Sequence, residues 1–174
     1  MKIKVLLDFD DTFGKPQIDI LVDEYTYYSG DVQREIELNI DCNQGDHQFK
    51  IIHRNKAVTD FNQEHDKHVV IEKIFFDEID LDQLENCRLT HAGKFYPEYN
   101  KDYIETWKKQ GVVLPEFISP NHYLGHNGIW VLDFEYPALN WIIKIQNPAG
   151  INLEDTMFST GDIVLLEIKE IFNL

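Results

Sequence analysis

Short apolar runs that alternate with period two, each stopped by a turn signal, constrain this chain more than any other feature. The strongest case is Gly125-His126-Asn127-Gly128, where Asn127 and Gly128 both tolerate positive φ and alternation follows at once. Over residues 129–134, Trp130, Leu132 and Phe134 point one way, and Trp141, Ile143 and Ile145 repeat that period beyond Pro137. The pattern predicts two aromatic-rich strands whose core is Trp130, Leu132, Phe134, Trp141 and Ile143. An earlier stretch has the same form: Ile36, Leu38 and Ile40, a turn at Asn43-Gln44-Gly45-Asp46, then Phe49 and Ile51. The spacing from Leu38 to Phe49 equals that from Leu132 to Ile143, which predicts two similar hairpin units.

The remaining stretches extend this pattern. Ile3, Val5 and Leu7 mark a first strand, and Ile18, Ile20 and Val22 a second, joined through Asp23-Glu24 to residues 25–28 as a hairpin. Residues 69–76 are almost continuously apolar and β-branched, as in a central strand, and Asp77-Glu78 turns them toward Ile79. Residues 100–110 make the best helix: Asn100 caps it, Tyr99, Tyr103 and Trp107 fall at i, i+4 spacing, and Lys108-Lys109 precede Gly111. Residues 162–172 satisfy both periods and are read as a strand. The expected fold is all-β, an antiparallel sandwich or jelly roll with one short helix near 100–110. Residues 1–81 form one β unit and 82–174 a second, which either stands alone or completes a common sandwich.

Charge narrows the partners. Sixteen Lys and Arg stand against 31 Asp and Glu, a net charge of -15, which argues against a nucleic-acid phosphate surface. No apolar run reaches membrane-spanning length, and the start of the chain meets Asp8 too soon for a signal peptide. The chain is therefore expected to be made in a cytoplasm and to stay soluble. Cys42 and Cys87 form no CxxC and are read as reduced thiols.

Three groups of residues carry chemistry. Asp8-Phe9-Asp10-Asp11-Thr12, after an apolar strand, resembles the first motif of haloacid-dehalogenase-type phosphohydrolases, whose paired aspartates supply a nucleophile and an acid/base and help hold magnesium. That family needs a parallel sheet with crossover helices, whereas the next forty residues here alternate as antiparallel strands, so an acidic strand end is the preferred reading and no catalytic residue is assigned. Asp60, Asn62, Glu64 and Asp66 place oxygen ligands on alternate residues, a candidate calcium loop. It is no EF-hand, because His65 and Ile71 stand where Gly and Glu belong, and a solvated loop with little or no calcium effect is expected. Tyr96, Tyr99, Tyr103 and Trp107 are the candidate binding aromatics, suited to the C–H face of a sugar or to a protein interface. The seven histidines have no helix-borne metal spacing.

Gly45-Asp46-His47-Gln48-Phe49-Lys50-Ile51, a polar loop, and Val70-Ile71-Glu72-Lys73-Ile74-Phe75-Phe76 resemble the jelly-roll calcium-dependent xylan-binding modules. That resemblance implies calcium and glycan binding in residues 1–81. The family's Asn-Asp is Asn55-Lys56 here and its Asp-Arg-Asn is Asp66-Lys67-His68, so Asp66 alone carries over. Gly93-Lys94-Phe95-Tyr96-Pro97-Glu98-Tyr99 and Tyr123-Leu124-Gly125-His126-Asn127-Gly128-Ile129-Trp130, with Pro137 and Trp141, look like small β-sandwich proteins of tailed bacteriophages. This second resemblance implies a non-enzymatic accessory piece of a virion, bound to other virion proteins or to itself. The alternative is a calcium-assisted carbohydrate-binding module that contacts a surface glycan, and the phosphohydrolase comes behind both.

Overall fold

A computed structural model describes residues 1–11, 14–57, 61–62, 65–82 and 92–146. In chain order the strands are β1 (Lys2–Phe9), β2 (Gln17–Val22), β3 (Tyr25–Asp31), β4 (Glu35–Asn39), β5 (Gly45–Arg54), the two-residue β6 (Phe61–Asn62) and β7 (His65–Asp66), β8 (Val69–Phe76), β9 (Ile79–Asp80) and β10 (Lys94–Pro97). Helix α1 (Lys101–Lys109), β11 (Tyr123–Leu124), β12 (Gly128–Tyr136) and α2 (Ala138–Gln146) complete the described chain.

Two sheets form a sandwich, one ordered β11-β8-β1-β4 with β9 on β8, the other β10-β12-β5-β2-β3. Every pairing between the named strands is antiparallel. The alternation seen in the sequence fills the space between the sheets: Ile3, Val5, Ile71, Ile74 and Phe76 come from one, Ile18, Ile20, Phe49, Ile51 and Trp130 from the other, all buried. Rings meet across the gap, Phe49 with Phe76 at 6.0 Å and Phe76 with Phe134 at 4.8 Å between centroids. Trp130 is fully buried and its indole N–H donates to Asn121 O at 2.6 Å.

Both short hairpins expected in the sequence are present. Asp23, with φ 54°, turns β2 into β3, and Asp77 and Glu78, with φ 46° and 73°, turn β8 into β9 as a primed turn requires. Helix α1 also forms: the Asn100 side chain accepts the Tyr103 N–H at 2.8 Å, and Lys108 and Lys109 lie in its last turn.

The two long hairpins do not form. Residues 36–51 cross between sheets, since β4 pairs β1 in one and β5 pairs β2 and β12 in the other. The stretch 125–127 crosses likewise, from β11 on β8 to β12 on β5 and β10. Gly128 permits that crossing: its φ is 150°, and a Cβ there would lie 2.3 Å from Tyr96 O. The expected strand over 140–146 is helix α2. It begins just after Pro137, whose carbonyl accepts from Asn140 and Trp141, and it buries Ala138, Trp141 and Ile142 at i, i+3, i+4 spacing. Ile143 is therefore only half-buried and is corrected out of the core, with Ile142 in its place, and Ile145 is exposed. Trp130, Leu132, Phe134 and Trp141 are buried as expected. The strand expected over 162–172 lies outside the described residues.

The longest pairing joins β5 to β12, from Gly45 opposite Tyr136 to His53 opposite Gly128. Strands from both sides of residue 81 thus share one sheet. This ribbon carries His47 and His53, the two histidines around which the clusters below gather.

Candidate functional site

Successive β5 residues alternate between the core and the outside: His47, Phe49, Ile51 and His53 face inward, while Asp46, Gln48 and Arg54 are exposed. His47 and His53 lie six residues apart, about 20 Å along the strand. Each anchors a different cluster.

At the His47 end the sandwich opens into a cavity of about 430 Å³. Trp141 of α2 and Phe134 of β12 give it an apolar floor, and Asp23, Asp46, Gln48, Asp133 and Glu135 stand around it with His47. The His47 ring lies 5.5 Å from that of Phe134. Its Nδ1 is 2.8 Å from Asp23 Oδ2, and its Nε2 is 2.8 Å from the carbonyl oxygen of Asn43. The hydrogen bond to Asp23 raises the His47 pKa above its ordinary value against the opposing effect of burial. Burial alone would raise Asp23, but its bonds from His47 and from the Gln48 N–H outweigh that and hold the carboxyl below its ordinary value. Gln48 donates its amide to Asp133 Oδ1 at 2.8 Å, and Lys144 donates to Glu135 at 2.7 Å.

At the other end His53 is 1% exposed. Its Nδ1 donates to the carbonyl of His126 at 2.8 Å, and its Nε2 has no hydrogen-bond partner among the described residues. Burial, with the charge of Lys56 assisting, lowers its pKa to about 4, so the ring is neutral. Lys56 is itself buried and donates from Nζ to Gly125 O at 2.6 Å, while Asn127 brackets its backbone through both amide atoms. His53 and His68, which the sequence placed together only if their strands paired, come near each other although β5 and β8 lie in different sheets: His68 stands just ahead of β8 and adds a small part to the lowering of the His53 pKa.

Of the predicted binding aromatics, three come together here. Tyr99 and Tyr103 stack at 5.7 Å with planes 4° apart, Trp107 follows at 5.9 Å, and His126 sets its ring edge-on to both tyrosines. Tyr96 packs instead against Phe117 at 5.7 Å. Beside the row runs an apolar groove of about 520 Å³ lined by Pro97, Tyr99, Ile104, Val112, Val113 and Leu114. No residue of α1 is buried, so the helix lies on the surface.

The candidate calcium residues are divided. Asn62 and Asp66 belong to the small β6–β7 pair, in which Asn62 lies opposite His65 and Phe61 opposite Asp66; Asp60 and Glu64 lie outside the described residues. Among the described residues no three His, Cys, Asp or Glu side chains converge to hold a metal. Asp8 sits on an antiparallel strand and pairs with Arg34 at 2.9 Å, and among the described residues β1 has none of the parallel neighbours that the phosphohydrolase reading requires.

No family model and no curated protein matches the chain. Two solved structures do. One is vCBM60 in complex with galactobiose, 9% identical over 76% of this chain and 97% of that one, with a TM-score of 0.47. The other is the SeMet form of vCBM60, from work linking two families of calcium-dependent carbohydrate binding modules by circular permutation; it is 10% identical over 75% and 88%, with a TM-score of 0.49.

The cavity was missed in the sequence. Its residues come from a turn at 23, strand positions 46–48 and 133–135, and helix position 141, and each of these segments is ordinary when read alone. Asp46-His47-Gln48 facing a strand that ends Asp133-Phe134-Glu135 was the available signal, but it requires the β5–β12 register.

Proposed function

We propose that the protein is a non-catalytic binding module that holds a saccharide in the cavity at the His47 end of the sandwich. One observation carries this: an opening of about 430 Å³ combines an aromatic floor, Trp141 and Phe134, with a rim of carboxylates and an amide. A pyranose has a matching surface, since its axial C–H bonds form an apolar face and its hydroxyls donate to carboxylates around the edge. Asp23, kept ionised by His47, is unsuited to protonating a glycosidic oxygen, which fits binding without cleavage.

A second reading, a protein–protein contact such as an accessory piece of a virion would make, rests on the surface near α1. Tyr96, Ile104, Val112, Val113, Phe117 and Ile118 are all exposed within one short stretch, as at a protein interface. In that reading the protein binds other virion proteins or itself through this face.

A glycan array that includes xylohexaose and galactobiose separates the two. Binding reduced at least tenfold by Asp133→Ala, with melting unchanged, supports the cavity reading. An array without hits, together with recovery of the protein on assembled phage particles, overturns it in favour of the second. Repeating the array with chelator tests whether the loop Asp60 to Asp66 contributes calcium to the contact.

A further inference from the structure

The two acceptors around His47 fix its protonation. A carboxylate and a peptide carbonyl have no hydrogen to give, so the contacts to Asp23 Oδ2 and Asn43 O, each 2.8 Å, are hydrogen bonds only if both ring nitrogens carry protons. A neutral imidazole has one N–H and keeps one of the two bonds. The bond to Asp23 ties β5 to the β2–β3 turn, and the bond to Asn43 ties it to the crossover that enters β5. Asp23 is bound to the next residue as well, accepting from the Gln48 N–H at 2.9 Å while its own N–H donates to Gln48 O at 2.8 Å. Asp23, His47 and Gln48 together form one wall of the cavity.

The charged groups around the ring come from every adjoining segment. Asp23 and Glu24 lie on the turn, and Glu24 is already occupied by Lys50 at 3.0 Å. Asp46 precedes the ring on β5, Asp41 lies on the incoming crossover, Asp133 and Glu135 flank Phe134 on the facing strand, and Lys144 of α2 is bound to Glu135. Asp23, Asp46, Asp133 and Glu135 thus line the cavity with one imidazolium, and one lysine is bound to Glu135, a setting that favours retention of the proton.

We propose that the His47 proton is the catch that keeps the cavity wall assembled, so that saccharide is held while the ring is an imidazolium and released as the ring turns neutral at higher pH. His47 is in this sense a positioning residue, acting through Asp23 and Gln48. The inference rests on the saccharide reading of the cavity. Its direction agrees with the raised His47 pKa.

The test is ring NMR of the full chain across roughly pH 5 to 9, with calorimetric titration of xylohexaose at each pH. Both His47 nitrogens are expected to be protonated at neutral pH, and affinity to fall about tenfold as that proton leaves, the loss expected for one charge-assisted hydrogen bond. Asp23→Asn should move the ring titration and the affinity change to lower pH together, and His47→Gln should flatten the pH profile. Should either variant fail to fold, the wild-type correlation still decides. A His47 ring already neutral at pH 6, or an affinity constant through its titration, overturns the proposal while leaving saccharide binding intact. Absence of xylohexaose and galactobiose binding at every pH overturns the saccharide reading and the gating with it.

Discussion

Strand β5 carries a histidine at each end, and the fold holds the two in opposite charge states. His47 meets two acceptors and retains its proton, whereas His53 is enclosed beside the Lys56 ammonium and gives its proton up. Both occupy inward positions of one strand, so the difference comes from what the sandwich places around each end. The His47 end is open, acidic and hydrogen-bonded, which suits a polar ligand. The His53 end is sealed, and outside it lies a row of aromatic rings that suits an apolar contact.

The largest expected effect tests whether the ends share one core. Trp130 lies opposite Ile51, between them, fully buried. Trp130→Ala should cost about 3–5 kcal/mol and destabilise both ends together. Denaturant unfolding checks this, and a loss under about 1 kcal/mol would mean that the ring is not packed as described.

Next in size is the pH response of His53. Its folded pKa, about 4, lies below the ordinary 6.5, so the unfolded chain takes up the proton first as pH falls. Stability should decline from pH 6.5 toward pH 4 by about 3 kcal/mol on account of this group. His53→Phe should remove that part of the acid slope in urea melts, and an unchanged slope would show that His53 is already charged in the fold.

His47 should show the opposite sign. Its folded pKa is raised, so its contribution is complete below pH 6.5 and is lost as pH rises through the folded value. Removing the partner by Asp23→Asn should cost roughly 1–2 kcal/mol below neutrality and little above the titration. Equal destabilisation at all pH values would contradict the imidazolium. Smallest is Asn100→Ala, which deletes the α1 cap at a cost of about 1 kcal/mol. Because α1 buries nothing, the loss should appear as reduced helicity and a disturbed Tyr99–Tyr103 stack, with His47 chemical shifts unmoved.

What could be read in the sequence divides along the same line. The aromatic row was legible because Tyr99, Tyr103 and Trp107 repeat at one helical turn behind a capping asparagine, all within a single local element. The sandwich was legible because period two marks a buried face. Alternation names a face and not a partner, however, so residues 36–51 looked like a hairpin although they change sheets. Ala138 to Gln146 failed for another reason: Trp141, Ile143 and Ile145 satisfy period two while Ala138, Trp141 and Ile142 satisfy a helix, and only packing against Phe76 and Phe134 chooses. The cavity inherits both difficulties, since it needs the β5–β12 register and the helical Trp141 at once.

The β5–β12 ribbon also sets an order of events in folding. Gln48 and Asp133 bond across 85 positions of chain, and their strands occupy the interior of a sheet. A growing or refolding chain can close β2 on β3 early, but β5 exposes an unpaired edge until β12 arrives. Local hairpins should form fast and the central pairing slowly, because the loop must close before its contacts help. During that interval the inward face of β5, Phe49 and Ile51 included, is open to wrong partners, so the time between β5 and β12 is when this protein is most prone to aggregate.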